Sequence, residues 1–491
     1  MSRPHRPAEP ATTSEAGLPQ PLAYGSSQGK WVLLATVLGS GLAQLDATVI
    51  NVALPRIGAD LHAGLTGLQW TLNAYTLALS GLLLLGGSLG DRLGRRRVFV
   101  VGVVWFTIAS VLCGLAPSAG TLVLTRALQG VGAALLTPGS LAILQAVFRK
   151  EDRATAVGAW SGLGGVATAI GPVLGGILVG VAPWGWRLVF LINVPLAVVV
   201  VITSQRFIPE TRDTSATGRL DWVGAVLAST GLGALVYGLT EGPAQNWPGY
   251  TIASTALGVV ILAAFVLFES RHPDPLLPLG LFRVRQFTAA NLVTFAVYAA
   301  LSGGLFLLPV QLQRVTGFSP LQAGTALLPM TVVMLLLSAR GGALAQRIGP
   351  RWPMTVGPIV AGLGIALFSR LDERSTYHGG VLPAVLVFAL GMSATVAPLT
   401  SSVLAAAPDH QTGVASAVNN DVARIAGLLA VAVLPSLAGI TPAAYADKAL
   451  LSAGFHHAVL IAGALCAFGG VLAFFTISDA GLRKSVAAQQ I

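Results

Sequence analysis

The sequence predicts an all-α integral membrane protein: two six-helix bundles with two extra helices between them, fourteen transmembrane helices in all. Three observations predict it. The 491 residues are 54% hydrophobic and only 10% charged, against about 25% charged in an ordinary soluble domain, and the mean hydropathy is +0.76. The apolar residues fall in blocks of about 20, enough to span roughly 30 Å of hydrocarbon as helix. A basic, glycine-studded turn occurs twice, as Gly86-Gly87-Ser88-Leu89-Gly90-Asp91-Arg92-Leu93-Gly94-Arg95-Arg96 and as Gly341-Gly342-Ala343-Leu344-Ala345-Gln346-Arg347-Ile348-Gly349-Pro350-Arg351. A repeated turn between apolar blocks implies a repeated half, as in many secondary transporters.

Residues 1–30 are polar and rich in Pro, Ser and Ala, with no apolar core, and read as a disordered cytoplasmic tail rather than a signal peptide. Six blocks follow, at roughly 31–53, 68–89, 98–116, 119–146, 155–180 and 187–206, giving an N-terminal six-helix bundle over 31–206. The polar stretch 207–219 reads as a cytoplasmic linker. If the two turns correspond, the blocks at 220–241 and 250–269 have no counterpart and form two additional transmembrane helices, 220–269. Residues 270–285, with Pro273, Pro275 and Pro278, read as a cytoplasmic loop. The blocks at 286–312, 320–346, 352–371, 380–405, 413–438 and 454–478 make a C-terminal bundle over 286–478, and 479–491 form a second cytoplasmic tail.

Runs such as Gly81–Leu85 and Val332–Leu337 do not alternate, so the segments do not suit a membrane β-barrel. The net charge of +10 would suit nucleic acid, but its placement argues otherwise. With the N-terminus cytoplasmic, 19 of the 29 Lys and Arg fall in cytoplasmic segments, 4 outside and 6 within helices. That is the positive-inside bias, and an even helix count then puts both termini in the cytoplasm. Cys113 and Cys466 lie in predicted helices, so neither a disulfide framework nor a metal site is implied.

Polar residues inside the apolar blocks stand out. The first block carries Leu45-Asp46-Ala47-Thr48-Val49-Ile50-Asn51-Val52-Ala53-Leu54-Pro55. An Asp at mid-helix costs about 2.5–3.5 kcal/mol on insertion scales and marks function or a permanent partner. Because hydrocarbon disfavours its charge, Asp46 is a candidate proton carrier. Ser40, Gln44, Thr48 and Asn51, spaced four, four and three, form a polar stripe, and Asp46 lies off it, so the stripe should face a cavity while Asp46 faces another helix. The fourth block carries Leu122-Val123-Leu124-Thr125-Arg126-Ala127-Leu128-Gln129-Gly130-Val131-Gly132, and the fifth carries Gly158, Ala167 and Gly171-Pro172-Val173-Leu174-Gly175-Gly176. Arg126 stays charged at working pH, and Asp46 is its obvious partner. Asp421 and Arg424 are spaced to pair on one helix face; Asp421 reads either as structural or as a second proton or substrate site. Asp221 and Glu241, near opposite ends of the first extra helix, read as capping or topology residues.

With these four motifs, the turn included, the chain resembles the major facilitator superfamily, and within it the fourteen-helix drug:proton antiporters, from about residue 31 to 478. The resemblance implies that Asp91, Arg92 and Arg95 act as a conformational latch holding the halves together on the cytoplasmic side, weaker in the second copy where Gln346 replaces the acid. It implies proton coupling through Asp46 with Arg126 assisting, and export rather than import through the antiporter motif Gly158, Gly171, Pro172, Gly175 and Gly176, from which Ala167 departs slightly. It places a substrate cavity at mid-membrane between the halves, with Gln44, Thr48, Asn51, Trp70, Asn73, Tyr75, Asn291, Tyr298, Met330 and Met334 as candidate lining; aromatic and Met side chains suit lipophilic substrates.

The expected function is proton-coupled export of small lipophilic molecules such as drugs or antibiotics by alternating access, from a bacterial cell membrane. The expected partners are a small-molecule substrate, protons and the lipid bilayer, with no nucleic acid, metal or cofactor, and a monomeric state. An exporter of an endogenous metabolite, peptide or siderophore is the alternative; an enzyme or channel fits less well. The chain has no G-x-x-x-x-G-K-[ST] loop for ATP, and its seven His are scattered apart from His456-His457.

Overall fold

The computed structural model describes residues 21–213, 220–408 and 411–479. Among them are fourteen helices long and apolar enough to cross a membrane: α1 (Ser27–Asp60), α2 (Leu65–Leu93), α3 (Arg95–Gly114), α4 (Ala119–Val147), α5 (Lys150–Gly180), α6 (Gly185–Phe207), α7 (Trp222–Ala244), α8 (Gly249–Glu269), α9 (Arg285–Val315), α10 (Pro320–Ile348), α11 (Arg351–Arg370), α12 (Tyr377–Ala405), α13 (Thr412–Leu437) and α14 (Lys448–Thr476). The all-helical class and the count of fourteen agree with the sequence. Several helices outrun their apolar blocks. α1 runs 34 residues and carries Arg56 and Asp60 beyond the expected end at 53, because hydropathy reports hydrocarbon thickness while a helix continues until its backbone is capped.

Caps set many of the ends. The Ser26 hydroxyl accepts from Gly29 N, Ser118 from Thr121 N and Asp447 from Leu450 N. Ser319 and Gln322 form a reciprocal capping box at the start of α10. Each such cap contributes about 1 kcal/mol by satisfying an orphan N–H.

Of the tail expected over 1–30, residues 1–20 lie outside the described residues. Residues 21–26 are ordered: Leu22 N donates to Val147 O, Arg149 N donates to Leu22 O, and Tyr24 N donates to Asp152 Oδ2. Of the expected linker, 214–219 lie outside the described residues, as do 480–491 of the second tail.

Within each bundle, glycines bring helices into backbone contact. A Cβ at Gly86 in α2 would collide with Ala134 O in α4, and one at Gly341 in α10 would collide with Ser393 O in α12. The equivalent turn residues thus make equivalent contacts in the two halves. In lipid, close van der Waals approach of this kind is a main source of helix association. α7 and α8 form a hairpin. α7 packs on α2 and α13, where Val236, Leu428 and Ala432 are buried together, so it covers one seam between the bundles.

The bundles meet at the end of the molecule away from the termini. Gln313 Nε2, in the π-helical turn that ends α9, donates to Val52 O of α1 at 2.9 Å, and Gln69 Nε2 of α2 donates to Val431 O of α13 at 2.7 Å. A Cβ at Gly176 would lie 2.7 Å from both Leu321 Cα and Pro320 O, and one at Gly324 would collide with Pro172 O. Toward the termini, a Cβ at Gly158, Gly162 or Gly165 of α5 would meet nothing within 4 Å. The cleft between the bundles is closed at the far end and open at the end bearing the termini.

The glycine geometry sets a paired expectation. Gly86→Ala forces α2 from α4 and should lower the thermal midpoint of the detergent-purified protein by several degrees, in line with the roughly 1–3 kcal/mol cost of overpacking. Gly90→Ala, where a Cβ meets nothing within 4 Å, should leave the midpoint within about a degree if packing decides the cost.

Candidate functional site

The first bundle encloses a fully buried charged cluster. Asp46 of α1 is 0% exposed and Arg126 of α4 is 1% exposed. Arg126 Nη1 donates to Asp46 Oδ2 at 2.5 Å and to Gln129 Oε1 at 2.7 Å, and its Nε donates to Thr71 O of α2 at 3.0 Å. Gln129 Nε2 donates to Asp46 Oδ1 at 2.9 Å and to Ser110 Oγ of α3 at 3.2 Å. Asn193 Nδ2 of α6 donates to Ser110 Oγ at 3.0 Å and reaches Asp46 Oδ1 at 3.5 Å. The guanidinium carbon lies 4.4 Å from the centroid of the Tyr75 ring and 5.7 Å from that of Phe190. Five helices therefore contribute to one hydrogen-bonded cluster, in which α4 and α6 reach the Asp46 carboxylate directly. Taking two charges out of water is costly, and extra hydrogen bonds and a cation–π face are what make such a pair tolerable.

The expected partnership of Asp46 and Arg126 is present, and Asp46 lies off the polar stripe, against another helix. The sequence reading missed Ser110, Gln129 and Asn193. Gln129 is one turn from Arg126 in the same motif, a usable signal. Ser110 and Asn193 are lone polar residues in apolar helices, with nothing in the chain to connect them.

Of the stripe, Gln44, Thr48 and Asn51 are half-buried; Gln44 Oε1 accepts from Thr168 Oγ1 of α5 at 3.0 Å, and Thr48 lies against Gly171 of the same helix. Ser40 departs from expectation: it is 1% exposed and its hydroxyl donates back to Thr36 O, because α1 is packed on that side too near its start.

Four other assignments to the cavity are corrected. Tyr75 is buried inside the first bundle against Arg126, with its hydroxyl 3.4 Å from Ala43 O. Trp70 turns to the extra hairpin, where its Nε1 donates to Glu241 Oε1 at 2.8 Å beside Tyr237. Asn73 is buried within the packed face of α2. Asn291 is buried between α9 and α13, where its Oδ1 accepts from Asn419 Nδ2. Hydrophobic spacing marks these positions as unusual but not which neighbour they meet. Tyr298, Met330 and Met334 are half-buried against the core of the second bundle.

Asp421 is buried in α13, and its Oδ1 has no hydrogen-bond partner among the described residues. No ion pair between Asp421 and Arg424 is present among the described residues, so the expected one-face pair is not formed; an i, i+3 spacing permits contact without enforcing it.

The latch residues pair within the first half. Arg95 Nη2 and Asp91 Oδ1 are 2.7 Å apart, and Arg92 Nε has no hydrogen-bond partner among the described residues. The larger organiser of this turn is a residue the sequence reading left in the linker. Glu210 accepts from Arg96 N and Arg97 N, closing the N-terminus of α3, and its carboxylate lies 3.6 Å from the Arg96 guanidinium. The second half repeats the device: Asp479 Oδ1 accepts from Arg351 N at the start of α11. Gly94 and Gly349, at φ +113° and +92°, bring each carboxylate against the turn. Positive φ is cheap only for glycine, and an acid at a helix N-terminus complements its dipole.

The antiporter-motif glycines are split in use. Gly171 lies against Thr48 and Gly175 against Val49 O, both in α1, while Gly176 meets the start of α10. Pro172 presents its carbonyl to Gly324. Gly158 makes no such contact.

A multi-pass helical bundle with a cleft between two related halves and a buried ion pair defines the transporter class. The chain matches the model of the Major Facilitator Superfamily over residues 36–431, and it belongs to that family. It is a membrane transporter, not an enzyme. It is 34% identical over 421 residues to the tetracenomycin C resistance and export protein of Streptomyces glaucescens, covering 85% of this chain and 78% of that protein. It is 36% identical over 422 residues to a puromycin resistance protein of Streptomyces alboniger, covering 84% and 83%. It is 34% identical over 459 residues to the methylenomycin A resistance protein of Bacillus subtilis, covering 92% and 95%. Among solved structures, the inward-facing, unoccupied bacterial homologue of the human lysosomal transporter Spinster superposes with a TM-score of 0.66 at 20% identity, over 92% of this chain and 98% of that one. A POT family transporter superposes at 0.68 and 13% identity, over 95% and 99%. Both share the fold.

Removing one partner of the buried pair should be far worse than removing both charges. Arg126→Ala is expected to destabilise by roughly 3–5 kcal/mol through the stranded Asp46 carboxylate, read as a lowered thermal midpoint and poor membrane insertion. Asp46→Asn with Arg126→Gln should recover much of that loss, since two neutral amides leave no buried charge. At the turn, Glu210→Ala should cost about 0.5–2 kcal/mol, the value of a helix cap, measured in the same assay.

Proposed function

We propose that the protein is a proton-coupled exporter of small lipophilic molecules such as antibiotics, working by alternating access from a bacterial cell membrane with both termini in the cytoplasm. The observation that carries this reading is the Asp46–Arg126 pair: a carboxylate with no exposure, in a membrane-spanning helix, held by a buried cation. The resistance and export functions of its relatives support the direction and the substrate class.

The positive-inside bias supports a cytoplasmic termini-bearing end, and in this reading the open cleft is an inward-facing state. In the proposed cycle, substrate enters that cleft beside Gln44, Thr48 and Asn51. The far-end contacts of Gly176 and Gly324 then part as the cytoplasmic end closes around the Asp91 turn. Proton binding at Asp46 breaks its bond to Arg126 and favours the return. A membrane potential supplies about 2.3 kcal/mol per charge per 100 mV, which sustains roughly a fifty-fold substrate gradient for each charge moved.

Dye and antibiotic efflux from a pump-deficient bacterium tests the coupling. Wild type should export, and a protonophore should abolish export. Asp46→Asn, present in the membrane at normal levels, should lose at least nine-tenths of it. Full gradient-driven export by Asp46→Asn would exclude Asp46 as the coupling group.

The inward-facing assignment has its own readout, because Cys113 and Cys466 are both buried. Gly162→Cys should react with a membrane-impermeant maleimide in inside-out vesicles and stay protected in right-side-out ones. Reaction in the opposite orientation would invert the topology.

A further inference from the structure

The extra hairpin is closed at its termini-bearing end by two carboxyl groups that face one another. Asp221 and Glu269 are 4% and 2% exposed. Each has one oxygen occupied by a backbone donor: Gly224 N donates to Asp221 Oδ1 at 2.7 Å, and Leu277 N donates to Glu269 Oε2 at 2.8 Å. The remaining oxygens, Asp221 Oδ2 and Glu269 Oε1, have no hydrogen-bond partner among the described residues. They converge: a Cβ built at Gly224 would touch both. No ion pair joins a Lys or Arg to either carboxylate among the described residues.

We propose that Asp221 and Glu269 bind one proton between them, forming a carboxylic acid–carboxylate clamp that fastens the start of α7, the end of α8 and the loop into the second bundle. Two like charges buried at contact cannot both ionise cheaply, and one shared proton turns the repulsion into a short charge-assisted hydrogen bond. Two converging oxygens fit a proton better than a metal, since Ca²⁺ takes six to eight oxygen ligands and the other two oxygens already accept from backbone N–H groups.

The surroundings offer little competing charge. His272 in the α8–α9 loop is the titratable neighbour acting on Glu269 besides Asp221, and its ring lies 5.2 Å from that of Phe268, tilted by 34°. On α2, the Gly81–Ser229 contact sets the last turn level with the start of α7; that turn carries Arg92 and Asp91, the latter bound to Arg95. Loss of the shared proton as the pH rises leaves two facing carboxylates, whose repulsion frees Leu277 N and loosens the loop. The clamp is therefore closed at lower pH and opens at higher pH.

Hydrogen exchange of peptides covering 270–284 in the purified full-length protein, corrected for intrinsic rates between pH 6 and 9, tests this. Wild type should lose at least ten-fold of its protection at the alkaline end. Glu269→Gln and Asp221→Asn replace the shared proton with an amide N–H and should stay protected throughout, while His272→Gln should keep the wild-type profile. Infrared spectra should show a protonated-carboxyl band that titrates in wild type and is missing from Glu269→Gln. Uniform protection in wild type, an unchanged profile in both carboxamide variants, a profile abolished by His272→Gln, or restoration of closure at high pH by added Ca²⁺ or Mg²⁺ would each overturn the proposal.

Discussion

A buried ion pair organises the first half of this transporter. Asp46 and Arg126 have no solvent, so everything around them must compensate for lost hydration. Gln129, Ser110, Asn193, the Thr71 carbonyl and the Tyr75 ring supply that compensation from four helices. The same requirement fixes rotations: α1 must turn Asp46 inward, and this leaves Gln44, Thr48 and Asn51 on its opposite side, with Gln44 and Thr48 against α5. One constraint therefore places both the buried carboxylate and the polar stripe, on opposite sides of a single helix.

The two halves share a scaffold and differ in chemistry. Each has the glycine contact within its second helix, the positive-φ glycine at the turn, and a carboxylate from beyond its sixth helix closing the N-terminus of its third. The second half has no equivalent of the Asp46–Arg126 pair among the described residues; its polar interior is the amide and hydroxyl group of Asn291, Thr294 and Asn419. The second bundle also buries a carboxyl, Asp421 of α13, but without an ion pair among the described residues. The seal between them at the far end combines close backbone approach at Gly176, Gly324 and the carbonyls of Pro172 and Pro320 with two side chain-to-carbonyl hydrogen bonds, Gln313 to Val52 O and Gln69 to Val431 O. Opening this interface must re-satisfy the Gln69 and Gln313 amides, while the glycine contacts part without leaving a polar side chain behind.

The extra hairpin is more than an insertion trailing in lipid. α7 lies along α2 and α13, at the seam where the halves meet, and Trp70 is turned toward Glu241 there. Its base carries two facing carboxyls and holds the loop that enters the second bundle. Any relative motion of the halves must be accommodated along this seam.

Much of the architecture was legible in the chain. Apolar blocks, the repeated turn and the unmatched pair between them determine fourteen helices in a six, two, six arrangement, because lipid admits only helices that satisfy their own backbone, and a repeat leaves its period in the sequence. The Asp46–Arg126 partnership was also legible, since two unlike charges deep in hydrocarbon have few alternatives. What only the tertiary structure decided was which face of each helix meets which neighbour. Tyr75 and Trp70 are five residues apart on α2, yet one stacks on Arg126 and the other bonds to the extra hairpin. Glu210, Asp479 and Glu269 are ordinary acids in linear order and become caps or clamps only when distant segments return to them. Periodicity records the angle of a side chain about its own axis. The partner at that angle depends on how the helices pack, and packing is settled by glycine contacts and buried charge acting across the whole bundle.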